Sequence, residues 1–273
     1  MCDENGGSGM KVDGGVGFDL ETVGDQAQEL EDMGYAGVMS AETSHDPFLP
    51  LLVAAQNTKR VELMTSIAVA FARSPMTLAN IGHDLNAFSK GRFVLGLGSQ
   101  IRPHITKRFS MPWSNPAARM REFVLAMRAI WSNWHDGKAL EFTGKFYTHT
   151  LMTPFFTPTD NDYGAPSVFL AAVGPLMTEV AGEVADGMIV HAFTTERYLR
   201  ETTLPSLERG FAKAGKSRAT FKLATQYLFA PVRPRKSSNS RRKPSPNKSH
   251  FMAPRRPTNP CSIALVRASY KAT

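Results

Sequence analysis

The side chains able to do chemistry collect just after apolar runs. Glu42, Thr43, Ser44, His45 and Asp46 follow Gly37–Ser40, and Thr65 and Ser66 interrupt the run 61–70. Ser99, Gln100 and Arg102 follow 93–97, and His191 ends 187–191. A histidine with its near-neutral pKa suits proton transfer, and a neighbouring carboxylate tunes it. One such histidine is more often a satisfied structural residue than a catalyst. Several polar sites converging on one face shift that balance toward function. His45-Asp46 has no second histidine or carboxylate at ligand spacing, so no metal is expected. There is no G-x-S-x-G elbow and no P-loop.

Two small-residue turns stand out. Gly96-Leu97-Gly98-Ser99-Gln100 ends an apolar run. It is not a G-x-G-x-x-G, because Ile101 and Pro103 replace the helix start that a dinucleotide site needs. Glycines at a strand end also admit a flat ligand close to the backbone. Ala171-Ala172-Val173-Gly174-Pro175 lies between a strand and a helix. The helix start would offer free N–H groups to a phosphate, or the turn is simply tight packing. Trp131 and Trp134 fit a core better than a stacking platform.

These positions need elements to hold them. Continuous apolar runs predict strands over 11–18, Gly37–Ser40, 61–70, 93–97, 168–172, 187–191 and 221–229. Helices are predicted over 23–33, 76–89, 117–134, 177–184 and 196–214, with Thr22 as an N-cap, Gly34 just past the first end, and Pro75 and Pro116 in first turns. In 117–134, Met120, Phe123, Val124, Met127, Ile130, Trp131 and Trp134 keep helical spacing. Strands alternating with helices imply an α/β fold with a parallel sheet, either doubly wound or a (β/α)8 barrel. In a barrel the ends of all these strands share one face, where active sites are built. A complete barrel takes about 250 residues. The body 10–230 is about one strand and two helices short of that.

Composition divides the chain. It has 273 residues, is 42% hydrophobic and 21% charged, and carries a formal net charge of +8. A sizeable core is expected and global disorder is not. From Pro231 onward there are 11 Lys/Arg and no Asp/Glu, so the first 230 residues are slightly acidic. No apolar run approaches the ~20 residues of a membrane span. Residues 1–9 are acidic and Gly-rich without the apolar stretch of a signal peptide, and read as a disordered extension. Cys2 and Cys261 are the only cysteines. They exclude a disulfide framework and a zinc cluster, and a cytoplasmic protein is expected.

The strings GYAGVMSAETSHDPFLPL, VELMTSIAVAFARSPMTLA, GRFVLGLGSQIRPHITKRFSMPW and PSVFLAAVGPLMTEVAGEVADGMIVH resemble the luciferase-like flavin and deazaflavin oxidoreductases, which are (β/α)8 TIM barrels. They cover about 10–230 and are similar to the coenzyme F420-dependent branch. The resemblance implies hydride transfer at C5 of the deazaflavin, to or from an organic small-molecule substrate. An FMN-dependent monooxygenase is the alternative on the same barrel. The family's acidic residue and catalytic histidine fall on Glu42 and Thr43, so the histidine is absent at its place and His45 is the candidate substitute. A bulge with a non-proline cis peptide behind the ring falls on Ser66-Ile67. Ring contacts fall on Ser99 and Gln100, and a further cofactor contact on His104. The phosphate turn falls on Val173 and Gly174, with Leu176 and Met177 opening the helix. His191 falls at the pocket end of its strand. The acidic catalyst of the sugar-phosphate enzymes falls on Ile101, which argues against that substrate. Relatives are often homodimers, and no membrane or specific nucleic-acid partner is implied.

After Ala230 the resemblance stops. The segment 231–273 is a basic Pro/Ser-rich tail in place of the family's eighth strand and closing helices. It could be a natural tail that binds nucleic acid, a divergent linker, or a frame-shifted translation. The third reading is favoured. KSHFMAPRRPTNPCSI (248–263) has codons that, read from one nucleotide upstream, give QISFYGSPPAYKPVLD, which is family-like. The expected consequence is an incomplete barrel, with the eighth strand missing or replaced and activity impaired.

Overall fold

In a computed structural model, residues 10–229 and 262–269 are described. The extension 1–9, the tail segment 231–261, Cys2 and Cys261 lie outside them.

The predicted alternation is present. In chain order the body runs β1 (Lys11–Gly15), α1 (Val23–Asp32), β2 (Gly37–Ser40), α2 (Phe48–Asn57), β3 (Glu62–Thr65), β4 (Ala68–Val69), α3 (Pro75–Phe88) and β5 (Phe93–Gly98). It continues with α4 (Pro116–Asp136), a small hairpin of β6 (Phe142–Thr143) and β7 (Thr148–His149), β8 (Ser167–Ala172), α5 (Pro175–Val184) and β9 (Gly187–Val190). A short α6 (Glu196–Tyr198) runs through a π-helical turn into α7 (Leu204–Ala214), followed by β10 (Lys222–Phe229) and β11 (Ser262–Ser269).

The local reasons are mostly those the residues suggest. Gly34, Gly137 and Gly215 take positive φ just past the ends of α1, α4 and α7, a conformation glycine adopts without strain. Ser74 caps α3 by accepting from Thr77 N at 3.1 Å, and Pro75 fills the first turn. Thr22 differs from expectation. It makes no side-chain cap bond, and its hydroxyl instead donates back to Asp19 O at 3.2 Å. Helix α2 was not expected, because Phe48–Asn57 is apolar nearly all round and gives no amphipathic period.

The strands close on themselves in the order β3-β2-β1-β11-β10-β9-β8-β5, and β5 returns to β3. That is an eight-stranded barrel, and it excludes the doubly wound alternative. Seven strands are parallel, and β11 is antiparallel to both neighbours. Of the two outcomes expected for the eighth strand, the structure has replacement. The expectation of an incomplete barrel is therefore corrected, since β11 pairs with both β1 and β10. Eight residues at 262–269 supply the missing ladder from the tail, pairing Lys222–Phe229 over its full length.

Side-chain alternation builds two layers. Val38, Leu63, Leu95, Val168 and Val190 face the helices in a large cluster that includes Trp131 and Phe123. Met39, Met64, Val94, Phe169, Ile189 and Ala224 fill the barrel interior. Asp13, Glu62 and Arg267 share that inward parity and plug the end where the parallel strands begin. Arg267 is 3% exposed and Asp13 1% exposed. Their ion pair is formed by Nε–Oδ2 at 2.6 Å and Nη2–Oδ1 at 2.7 Å, and Arg267 also pairs with Glu62. Burial raises the Asp13 pKa against the pull of Arg267. At Glu62 burial is outweighed by Arg267 and Lys11, so its pKa is lowered. A Cβ at Gly37 would overlap this pair, which is why glycine faces it.

Candidate active site

The parallel strands end at one mouth, and the candidate residues are distributed around it. On the β2–β3 side, Glu42 is a buried carboxylate. Its Oε2 accepts from Arg73 Nη1 at 2.6 Å and from Val69 N at 2.7 Å. Its own N–H donates to Ile67 O at 3.1 Å. Glu42 therefore braces the chain around β4, and its carboxylate is already engaged. Arg73 also pairs with Asp46 at 3.0 Å, and its guanidinium lies 5.4 Å from the Phe48 ring centroid. Asp46 Oδ1 in turn accepts from Phe48 N at 2.8 Å, at the start of α2. One arginine thus ties the loop after β2 to the turn after β4. Arg73 was missed in the sequence, where it is a lone cation after an apolar run.

His45 is exposed on that loop, with its ring stacked on Phe18 at 5.1 Å. A base held on an aromatic face while open to the mouth can exchange protons with a bound molecule. Arg108 donates to Thr43 O at 2.5 Å and joins this polar side.

The Ser66-Ile67 peptide is cis, as the resemblance implied. It separates β3 from β4, and both continue to pair with β5. Ser66 N donates to Ser40 O at 2.7 Å. Gly96 and Gly98 have an explanation within the barrel itself. A Cβ at Gly96 would overlap Thr65 O, and one at Gly98 would press on Ile67. Thr65 Oγ1 completes the lock, donating to Gly96 O at 2.8 Å and accepting from Gly96 N at 2.9 Å.

Beyond β5, Ser99 Oγ donates to Gln100 O at 3.2 Å, and Gln100 has φ of 58° with its Oε1 accepting from Ile101 N at 2.9 Å. His104 is exposed and opens the π-helical turn His104–Arg108. Beyond β8, Val173 and Leu176 are exposed and Met177 is half-buried. Gly174 is the N-cap of the ten-residue α5, with nothing within 4 Å of a Cβ placed there. The N–H groups of Leu176 and Met177 lie in the first turn, where no intrahelical acceptor exists. Together with the helix dipole they make a fitting cradle for an anion. His191 is exposed at the end of β9 and its ring lies 5.3 Å from Phe193. It stands four strands around the barrel from β2, so His45 and His191 flank the mouth from opposite sides.

The structure thus ties Glu42 to Ile67 through one backbone bond, while Ser66 N bonds Ser40 O and the Glu42 carboxylate holds Val69 N and Arg73. It places Ser99, Gln100, Val173, Gly174, Leu176, Met177 and His191 on consecutive strand ends β5, β8 and β9. His104 lies further out on the loop after β5.

Known proteins share this architecture. The family model for luciferase-like monooxygenase matches residues 2–242. Uncharacterized protein Rv1360 of Mycobacterium tuberculosis is 56% identical over 221 residues, covering 81% of this chain and 65% of its own length. The chain therefore spans slightly less than two thirds of that relative. An F420-dependent glucose-6-phosphate dehydrogenase of Beutenbergia cavernae is 31% identical over 214 residues, covering 76% of this chain and 58% of its own. An F420-dependent secondary alcohol dehydrogenase in complex with an F420-acetone adduct superposes with a TM-score of 0.66 and 21% identity. It covers 79% of this chain and 68% of its own length, and shows the shared fold.

Proposed function

The chain belongs to the luciferase-like monooxygenase family, and from that premise we propose that it binds coenzyme F420 at the mouth of the barrel and serves hydride transfer with a small organic substrate. FMN is the alternative cofactor, as in a monooxygenase of the same family. The F420-dependent relative at 31% identity favours the deazaflavin.

The observation that carries the reading is the common rim. The cis Ser66-Ile67 segment, Ser99 and Gln100, and the open turn at Val173-Gly174 lie on strand ends that face one mouth. When bound, the deazaflavin supplies the hydride chemistry at C5. The chain's own part is to hold and to move a proton. Leu176 and Met177 N–H groups would hold an anionic group of the cofactor, and Ser66-Ile67 and Ser99-Gln100 would hold its ring. His45 donates or accepts the substrate proton, and Glu42 with Arg73 fixes the loop that carries it.

The reading from the basic tail is weaker. One of its cations, Arg267, is spent inside the barrel. Spectral titration of the chain with F420 and with FMN tests the proposal. Saturable F420 binding, strongly weakened in Gly174→Asp, is expected, because a carboxylate there repels the cofactor's anion. Retained FMN with oxygen consumption would favour the alternative. Binding of neither sinks the proposal.

A further inference from the structure

Arg108 bridges two loops of the mouth. It belongs to the π-helical turn after β5, and its Nη2 donates to Thr43 O at 2.5 Å on the loop after β2. β3 lies between those two strands and pairs with both. The bond therefore spans the sector whose strand runs on into Ser66-Ile67. Thr43 directly follows Glu42 and stands two positions before His45. The turn that carries Arg108 is anchored from below. Ile105 is fully buried, Phe109 packs against the core, and Phe109 N donates to His104 O at 3.0 Å. The guanidinium lies over the Phe109 ring, 4.7 Å from its centroid.

The charge of Arg108 is not spent. Glu42 and Asp46, the carboxylates of the facing loop, both pair with Arg73. Among the described residues Arg108 has no carboxylate partner, and its contacts are Thr43 O and the Phe109 ring. No Asp or Glu occurs between Leu85 and Arg121, and Arg102 and Lys107 stand exposed beside it on the same loop. A guanidinium carries several N–H donors in one plane, of which Thr43 O takes one. Stacking on a ring fixes that plane and leaves the donor edge open. What remains is a positioned cation able to take an oxyanion in bidentate fashion, on the loop that carries the candidate proton-transfer group. We infer that Arg108 is a specificity-determining residue that receives an oxyanion of the substrate, a carboxylate or a phosphate. Arg102 and Lys107 add attraction at longer range. The inference rests on the proposed reaction at this mouth, since it names the substrate class of the same site.

The test uses the full chain and three probes built on one ring: benzoate, phenyl phosphate and benzyl alcohol. Ligand-observed NMR at fixed ionic strength measures each affinity, with and without F420. Arg108→Gln, Arg108→Lys and Lys107→Gln are the variants, and the F420 affinity and thermal melt of each are measured separately. At least one of the two anions should bind the unmodified chain about tenfold tighter than benzyl alcohol, and the tighter one names the oxyanion. Arg108→Gln should cost that anion about tenfold, the size of a lost charge-assisted pair, and leave benzyl alcohol unchanged. Arg108→Lys should recover part of the loss, because it keeps the charge without the fork. Lys107→Gln should cost no more than about twofold, as for an exposed charge at a distance. F420 affinity should hold in all three. Equal binding of the three probes overturns the inference, as does an anion preference that survives Arg108→Gln. Equal losses in Arg108→Gln and Lys107→Gln would mean diffuse attraction and overturn it too. A parallel loss of F420 would assign Arg108 to the cofactor, with the same consequence. If the unmodified chain binds no F420, the cofactor proposal fails, while the probe comparison without cofactor still decides this one.

Discussion

Arg267 is the sharpest place to perturb the barrel. It comes from the basic tail, yet it lies among the inward side chains beneath Ala224, opposite Asp13 and Glu62. Replacing it by methionine keeps much of the volume and removes the charge. Asp13, buried and with its pKa already raised by burial, then loses the cation it pairs with, and Glu62 adds a second negative charge nearby. Breaking a buried pair from one side costs about 3–5 kcal/mol. Against a total stability of about 5–15 kcal/mol that is enough to threaten closure. Urea unfolding followed by tryptophan fluorescence reads the loss, since Trp131 is buried against α3 with its Nε1 donating to Ala79 O at 3.1 Å. The double variant Asp13→Asn with Arg267→Met should recover part of it, giving a coupling energy of about 2 kcal/mol. The deficit of Arg267→Met should also shrink as the pH falls and the two carboxylates protonate. A loss below about 0.5 kcal/mol, the usual range of a surface substitution, would mean that β11 does not fill this slot.

Other expectations are independent of the tail. Gly96→Ala should destabilise by about 3 kcal/mol, because the added methyl overlaps Thr65 O; a neutral result in chemical denaturation would contradict the tight β3–β5 approach. Glu42→Gln should lower stability by about 2 kcal/mol and weaken F420 binding with it, since Arg73 and Val69 N lose a charged acceptor; binding measured beside thermal melts would show whether the two losses travel together. Burial pushes Glu31 up, but N–H donors from Lys59, Arg60 and Val61 outweigh it and hold its pKa below the usual range. A lowered carboxylate stabilises fully above the usual range and is lost as pH falls through the folded value. The stability gap between the unmodified chain and Glu31→Gln, about 2 kcal/mol at pH 7, should therefore close toward pH 3, and a gap that widens on acidification would refute this.

Much of the barrel was legible from residues. Apolar runs located the parallel strands because both their faces are covered, as at Gly37–Ser40, where the strand is fully buried. Helix ends followed Pro75, Pro116 and Gly34. Phe48–Asn57 was missed because burial on several faces erased its period. The antiparallel β11 was missed because Ser262–Ser269 matches nothing in a parallel-barrel pattern, and because its one buried charge, Arg267, is legible only beside Asp13 and Glu62 of distant strands. At the mouth, the strand-end rule put the candidates at strand ends, and the structure has them there. The rule could not show that Glu42 is engaged by Arg73, thirty-one residues away in sequence, or that the glycines of β5 make room for Thr65 and Ile67. Those facts depend on side chains that meet only after the barrel closes. The reading of 231–273 as a frame-shifted segment falls mostly outside the described residues, which take in only 262–269 of it, and stays a proposal, which resequencing the gene across this region would test.

Amide hydrogen exchange of the chain with and without F420 tests most directly whether the strand-end mouth holds the cofactor. Added F420 should slow exchange at Ile67, at Ser99 and Gln100, and at Leu176 and Met177, and leave the opposite end around Asp13 and Glu62 unchanged. Protection confined to other segments, or no protection at saturating F420, would contradict it.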